Sequence, residues 1–495
     1  MRDIHPHPKS DQERRCQIGV TMKKIIGAFV AVIIVIVGGF TGWLLLGRDP
    51  MSFAAGSTVA LEDYKGGAVT GVPAELASAD LVKRGAYLIH AADCQACHTA
   101  PGGAPFAGGL AFHMPFGTIY STNITPDKQT GIGNYTDAQF LAAVHKGIRA
   151  DGERLYPAMP YTSYTAMTDA DALAIKAYLM TLTPVHAPAR QDQLSFPYNQ
   201  RSLLVLWDVL SNPDERFRPN TGQSPQWNRG AYLAEAMGHC GECHTPRNLI
   251  YGLDNHRKFA GALTAGWRAY NITSDKDSGI GDWSDTDLYL YLSTGHANGH
   301  GGAAGPMGEA TDDSLSYLLP DDTHALVTYL RSIPARASDL PRTVTTPAPA
   351  SYKEGPDVNT RGEKIFAGAC ASCHDWTGVS PVTGYATLTG VRAVNDPSAT
   401  NVAQAVIFGV NRKTTQGAAP QGTAPQGTSP QGTSQGGRIF MPAFGQGYSD
   451  DDIAAVANYV TARFGAKGAH LTDKDVAALR KQATQQPRSA EAPNG

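Results

Sequence analysis

Apolar positions along this chain fall into one long uninterrupted run and several shorter runs at helical spacing. Ile25 to Leu46 is a stretch of 22 residues without a charge, rich in Ile, Val, Leu and Gly. As a helix it would extend about 33 Å, against a hydrocarbon core of roughly 30 Å. The 24 residues before it hold six Lys/Arg and three acids. The positive-inside tendency therefore predicts a cytoplasmic N-terminus, with everything after Arg48 exported. A signal peptide cleaved near Ser52-Phe53-Ala54-Ala55 is the competing reading, although its apolar core usually runs about 7–15 residues. Met22 offers an alternative start.

The shorter runs repeat. Arg84-Gly85-Ala86-Tyr87-Leu88, Arg229-Gly230-Ala231-Tyr232-Leu233 and Arg361-Gly362-Glu363-Lys364-Ile365-Phe366 mix apolar and small residues at helical spacing. Each leads into a cysteine pair. Helical runs close the three repeats at Asp169 to Leu182, Asp321 to Ile333 and Asp450 to Phe464, and each starts with acids, as a helix N-terminus favours. The first two repeats share further echoes, Thr122-Asn123-Ile124-Thr125 with Tyr270-Asn271-Ile272-Thr273, and Gly131-Ile132-Gly133 with Gly279-Ile280-Gly281. The third repeat lacks both, which marks it as the most divergent. Gln200 to Leu210, with Trp207 in its midst, is apolar enough to pack between two domains or to serve as an interfacial or docking helix. Gln-Gly-Thr/Ala-Ser/Ala-Pro steps over residues 414–437 form an uncharged insert that cannot bury enough surface to order itself.

These divisions give a cytoplasmic N-terminus at 1–24, a transmembrane anchor at 25–46, and domains at 78–186, 225–336 and 357–466. Linkers fall at 187–224 and 337–356, and a polar tail at 467–495. A chain of 495 residues has room for two to four domains. A net charge of -3 offers no basis for a nucleic-acid partner.

Cysteine use sharpens the picture. Six of seven cysteines form Cys94-Gln-Ala-Cys97-His98, Cys240-Gly-Glu-Cys243-His244 and Cys370-Ala-Ser-Cys373-His374. Cys-x-x-Cys-His is the attachment pattern of haem c. Two sulfurs at that gap meet the two vinyl groups along one edge of the porphyrin, and the histidine turns its imidazole to the iron. A thioredoxin-like site has no use for the histidine and needs a βαβ context. A zinc site needs a second ligand pair, which no repeat supplies. Three covalently bound haems are expected, with His98, His244 and His374 as iron ligands.

The sixth iron position separates a carrier from a catalyst, and a methionine there raises the potential. Met307 alone lies between the second and third patterns, and Met441 alone after the third; they follow their histidines by 63 and 67 residues. In the first repeat Met159 follows His98 by 61 and adjoins Pro160, as Met307 adjoins Pro306 and Met441 adjoins Pro442. Proline stiffens a loop that must keep a weak thioether on iron. Met114, Met167 and Met180 are the other candidates in that repeat. Three filled iron sites argue against a multihaem peroxidase and predict no catalytic residues on this chain.

The segments RGAYLIHAADCQACHTAPGG, YSTNITPDKQTGIG, RLYPAMPY, GHCGECHTPRN and GPM resemble the cytochrome c subunits of membrane-bound, quinone-reducing dehydrogenases of acetic acid bacteria and their relatives. The resemblance spans roughly Leu81 to Phe464. It implies a mainly α fold, with three tandem cytochrome c domains following one N-terminal transmembrane helix. In such domains the first and last helices cross where a glycine meets an aromatic residue, which pairs Gly85, Gly230 and Gly362 with Tyr178, Tyr329 and Tyr459. A separate catalytic subunit of quinoprotein, molybdenum or flavin type would oxidise an alcohol, aldehyde or sugar acid. This chain would pass the electrons to ubiquinone, from the periplasmic side of the bacterial inner membrane. A cytochrome subunit of a terminal oxidase is the rival assignment.

Overall fold

The computed structural model describes residues 23–39, 58–60, 73–212, 214–338, 360–413, 438–466 and 468–483. It separates into two units, residues 1–49 and 50–495. In the first unit residues 23–39 are helical. Positions 40–46 of the expected anchor lie outside the described residues, and so does the insert at 414–437. Among the described residues no helix is long and apolar enough to cross a membrane.

The second unit is mainly α, with a few short antiparallel strand pairs. The first repeat contains α1 (Leu81–Ala91), α2 (Cys94–His98) and α3 (Asp169–Leu179). After the linker helix α4 (Leu204–Ser211), the second contains α5 (Pro225–Tyr232), α6 (Cys240–His244), α7 (Gly305–Asp313) and α8 (Pro320–Ser332). The third contains α9 (Thr360–Ile365), α10 (Ala371–His374), α11 (Thr400–Phe408) and α12 (Asp450–Phe464). Its strands β1 (Val410–Lys413) and β2 (Arg438–Met441) pair antiparallel.

Helix starts follow from local chemistry. Asp80, Thr168 and Ser449 cap α1, α3 and α12 by accepting a backbone N–H three residues on, and Ser449 closes a reciprocal box with Asp452. The closing run expected to reach Leu182 stops at Leu179, with Met180 as its cap.

Each lead-in helix crosses its closing helix through a glycine. A Cβ on Gly85 would stand 1.9 Å from the Ala174 carbonyl oxygen and 3.0 Å from the Tyr178 Cβ. On Gly230 it would stand 1.9 Å from Ala325 O and 2.8 Å from Tyr329 Cβ; on Gly362, 2.2 Å from Ala455 O and 2.8 Å from Tyr459 Cβ. The obstacle is backbone, so no side chain fits at these crossings. The arginine preceding each glycine then pins the closing helix. Arg84 meets Asp171 at 2.6 Å, Arg229 meets Asp322 at 2.7 Å, and Arg361 meets Asp452 at 2.7 Å.

Burial makes the three repeats unequal. One continuous apolar core includes Leu88, Phe140 and Ile175 of the first repeat with Tyr232, Leu326 and Leu330 of the second. The third has its own core around Phe366, Ile407, Val456 and Phe464. It meets the second through polar contacts. Asn401 accepts from Arg268 N at 2.8 Å and donates to Arg268 O at 2.9 Å, and Gln404 donates to Gly266 O at 2.7 Å.

The linker helix is inside out relative to the simpler expectation for its sequence. Trp207 Nε1 donates to Ile250 O of the second repeat, while the buried Asp208 accepts from Tyr161 and Arg154 of the first. Helix α4 therefore does bridge two repeats. Its apolar residues are not what it buries: Leu206 and Val209 are 63 % and 71 % exposed.

Candidate functional site

The three Cys-x-x-Cys-His segments adopt nearly one local form. In α2 and α6 the two cysteines sit three residues apart on a single helical turn, so their side chains are neighbours, with the histidine one residue further round. Left-handed residues, Asp93 at φ 50° and His239 at φ 37°, turn the chain into those helices. In the third segment Cys370 caps α10, and Asp375 at φ 58° turns the chain out of it.

Each histidine is held from behind by a backbone carbonyl. His98 Nδ1 bonds Thr122 O at 2.7 Å, His244 Nδ1 bonds Tyr270 O at 2.6 Å, and His374 Nδ1 bonds Ala386 O at 2.6 Å. A carbonyl only accepts, so Nδ1 carries the proton and the lone pair resides on Nε2. That orienting bond is the usual companion of a metal-ligating imidazole.

The echoed Asn-Ile-Thr segments supply those carbonyls, a role their sequence did not reveal. Asn123 follows Thr122, and Asn271 follows Tyr270. Both asparagines are buried. Asn123 Oδ1 accepts from Thr125 N and Oγ1 at 2.9 and 2.8 Å, and its amide donates to Val185 O at 2.7 Å. Asn271 repeats this with Thr273 at 2.8 and 2.7 Å and with Arg336 O at 2.6 Å. Only the matching dipeptide in two repeats could have signalled it. The third repeat reaches its histidine with Ala386, 12 residues on instead of 24 or 26, and has no such asparagine.

Five of the six motif cysteines are set against ionisation. Burial pushes Cys94 and Cys240 up to about 12, and Cys243 and Cys370 up to about 11. Cys97 is also raised, by burial first and then by Asp93, Cys94 and Cys243. Disulfide-exchange and zinc-binding cysteines show the opposite shift, because they act as thiolates. Among the described residues no cluster of three His, Cys, Asp or Glu side chains is placed to hold a bare metal ion.

A cavity of about 2340 Å³ runs through the second and third repeats and reaches the first. Single-ligand pockets are usually about 300–1,000 Å³, so this volume suits more than one large group. Its walls include Cys240, Cys243, His244 and Met307, then Cys370, Cys373, His374 and Met441. The first repeat contributes Cys97 and the residues flanking Met159. Met159 itself is half-buried against the shared core. Of its rivals, Met167 is fully buried in that core and Met180 is exposed at the end of α3. Other histidines have partners of their own: His90 stacks on Tyr317, His145 is buried beside Arg216, and His300, on the cavity wall, stacks on Trp283. Paired cysteines, a back-bonded imidazole and thioethers on an apolar wall fit haem c.

The first two attachment segments adjoin one another. Glu242, inside the second, accepts from Thr162 at 3.0 Å and Ser163 at 3.2 Å, just past Met159. Burial opposes its charge, yet Arg247 at 2.7 Å holds the carboxyl below its usual range. Reciprocally, α7, which carries Met307, packs against α2.

Comparison with known proteins agrees. The family model for cytochrome c matches residues 82–183 and 360–463. The matched residues cover the first and third repeats, so the third belongs to the family despite its missing echoes. The chain is 39% identical over 466 residues to the fructose dehydrogenase cytochrome subunit of Gluconobacter japonicus, covering 88% of this chain and 91% of that one. It is 38% identical to the gluconate 2-dehydrogenase cytochrome c subunit of Pantoea cypripedii, covering 82% and 91%. It is 35% identical to the alcohol dehydrogenase (quinone) cytochrome c subunit of Gluconacetobacter polyoxogenes, covering 82% and 85%. The fold and the attachment segments are those of a c-type cytochrome, binding haem c covalently. More narrowly, the chain belongs to the family of cytochrome c subunits of membrane-bound dehydrogenases. It is an electron-transfer subunit that works beside a catalytic dehydrogenase.

Proposed function

We propose that this subunit carries three haem c groups, bonded through Cys94 and Cys97, Cys240 and Cys243, and Cys370 and Cys373. His98 with Met159, His244 with Met307, and His374 with Met441 would hold the three irons. The observation that carries this reading is the Nδ1-to-carbonyl bond repeated behind all three histidines. Bound haem iron supplies one-electron redox chemistry. The protein's part is to orient each imidazole and, with the segments that bear the methionines, to wall the irons from water.

Electrons come from a catalytic subunit of flavin, quinoprotein or molybdenum type and leave to ubiquinone, a reading supported by the quinone named for one relative. Residues 25–46 anchor the chain in the bacterial inner membrane, with the haem domains on the periplasmic side. Support for the anchor is the uncharged run and the basic stretch before it. Mass spectrometry of the mature chain should show the added mass of three haems, and the pyridine-treated spectrum should show a c-type band of matching intensity. Two haems per chain would overturn the count. Carbon monoxide should bind the reduced protein almost not at all, because all six axial positions are filled.

A further inference from the structure

Arg412 reaches out of the third repeat into the second. It lies on β1, whose residues Val410 and Arg412 pair with Met441 and Ile439 of β2. Alternate residues of a strand share a face, so these four point the same way, and all four line the cavity. One face of one hairpin therefore presents Met441 within its own repeat and an arginine to the neighbouring one.

The arginine side chain is only 4 % exposed. Nη2 donates to Asp312 Oδ1 at 2.6 Å, and Nη1 to Gly295 O at 3.2 Å and Ala303 O at 3.4 Å. Those acceptors bracket Met307, two in the loop before it and one in α7 after it. The residue next to Met307 is Gly308, and a Cβ there would meet Arg412 Cδ at 3.3 Å and Nε at 3.4 Å. Gly295, at φ 73°, leaves still less room: a Cβ would fall 2.0 Å from Nη1. Helix α7 has no side-chain cap at its start, so its own sequence does little to hold Met307 in place.

We propose that Arg412 is a positioning residue for the second haem, clamping from the adjacent repeat the start of helix α7, which carries Met307. The proposal rests on Met307 being an axial ligand. A thioether is a weak ligand whose residence on iron depends on the stiffness of its loop. A planar guanidinium that ties the loop before Met307 to helix α7 after it supplies stiffness that a single contact cannot. The second iron's ligand field would thereby depend on one arginine that the third repeat contributes.

The test uses the full chain with its haems, reduced under carbon monoxide, alongside a redox titration. Arg412→Gln should bind carbon monoxide at one haem and lower one midpoint potential, leaving the others in place. Arg412→Lys should recover part of the parent behaviour. Should Arg412→Gln not accumulate, Gly308→Ser displaces the arginine without removing its charge and should give the same signature. Asn401→Ala breaks a different contact between the same repeats and should leave both readouts at parent values. Met307→Ala sets the ceiling for carbon monoxide binding. Parent-like readouts for Arg412→Gln and Gly308→Ser, with Met307→Ala binding carbon monoxide, would overturn the clamp alone. A Met307→Ala protein that binds none would overturn the ligand assignment and the clamp together.

Discussion

The Tyr87 hydroxyl of the first repeat donates to Asp322 Oδ2 of the second at 2.6 Å. The relation is mirrored: Tyr232 of the second repeat donates to Asp171 Oδ2 of the first at 2.6 Å. Each tyrosine oxygen also accepts the backbone N–H three residues before its partner aspartate, from Leu319 and from Thr168, both at 3.1 Å. Each aspartate is already paired with the arginine of its own repeat. Two copies of Arg-Gly-Ala-Tyr thus exchange tyrosines about a local two-fold. The third repeat has Lys364 at the tyrosine position and takes no part.

Removing one hydroxyl should loosen the pair without dissolving it. Tyr87→Phe and Tyr232→Phe should each cost about 1–3 kcal/mol, because the N–H of Leu319 or of Thr168 loses its acceptor together with the tyrosine–aspartate bond. Asp322→Ala should cost more, about 3–5 kcal/mol, because it strands the buried Arg229. Thermal unfolding of the haem-loaded protein, following the first two haems against the third, measures both.

The same tyrosines set an alkaline limit. Burial first, and then the neighbouring aspartate, raises Tyr87, Tyr161 and Tyr232 above the usual phenol range. Their folded forms hold protons that the unfolded chain releases above about pH 10. Stability from these groups is therefore fully present below pH 10 and declines as pH rises beyond it. A chemical-denaturation series from pH 8 to 11 should show a plateau and then a fall, and the fall should be shallower in Tyr87→Phe.

The helix crossings should tolerate no side chain. Gly230→Ala places a Cβ against the Ala325 carbonyl and should destabilise by about 3 kcal/mol, the upper end for overpacking. Gly85→Ala should match it. The yield of haem-stained protein, compared with unaltered chain, is the readout.

Loss of the buried asparagine should act on its histidine. Asn271→Ala removes the acceptor for Thr273 and the donors to Ser278 and Arg336. A cost of about 1–3 kcal/mol is expected, with a shifted potential for the second haem alone. Asn123→Ala should shift the first haem instead. An unchanged redox titration in both would refute the orienting role.

Helix α4 offers a contrast in which the apolar residue is the dispensable one. Val209→Asn changes an exposed side chain and should alter stability by no more than about 0.5 kcal/mol. Asp208→Ala should be worse by several-fold, since it leaves the Tyr161 hydroxyl and Arg154 unmet at the joint of two repeats. Paired melting curves suffice to rank them.

Much of this protein could be read along the chain because it depends on spacing within a few residues. Cysteines three apart with a histidine next in line define an attachment turn wherever they occur. The crossing of each lead-in helix with its closing one came instead from the family resemblance, which paired Gly85, Gly230 and Gly362 with Tyr178, Tyr329 and Tyr459, and all three crossings formed. Capping residues and acids located the closing helices to within a few positions. What stayed hidden involves partners tens or hundreds of residues away. The carbonyl behind each histidine carries no side chain to mark it, and the exposure of Leu206 and Val209 contradicts their type.

By itself the sequence determined the local pattern: three Cys-x-x-Cys-His segments, the repeat, and the helices that frame it, because covalent spacing and helical period are properties of neighbouring residues. Only the tertiary structure decided that two repeats share a core and exchange tyrosines while the third docks by polar contacts through Arg412. Identical local signals pack differently because burial and charge pairing depend on which surfaces meet, and that depends on the whole chain.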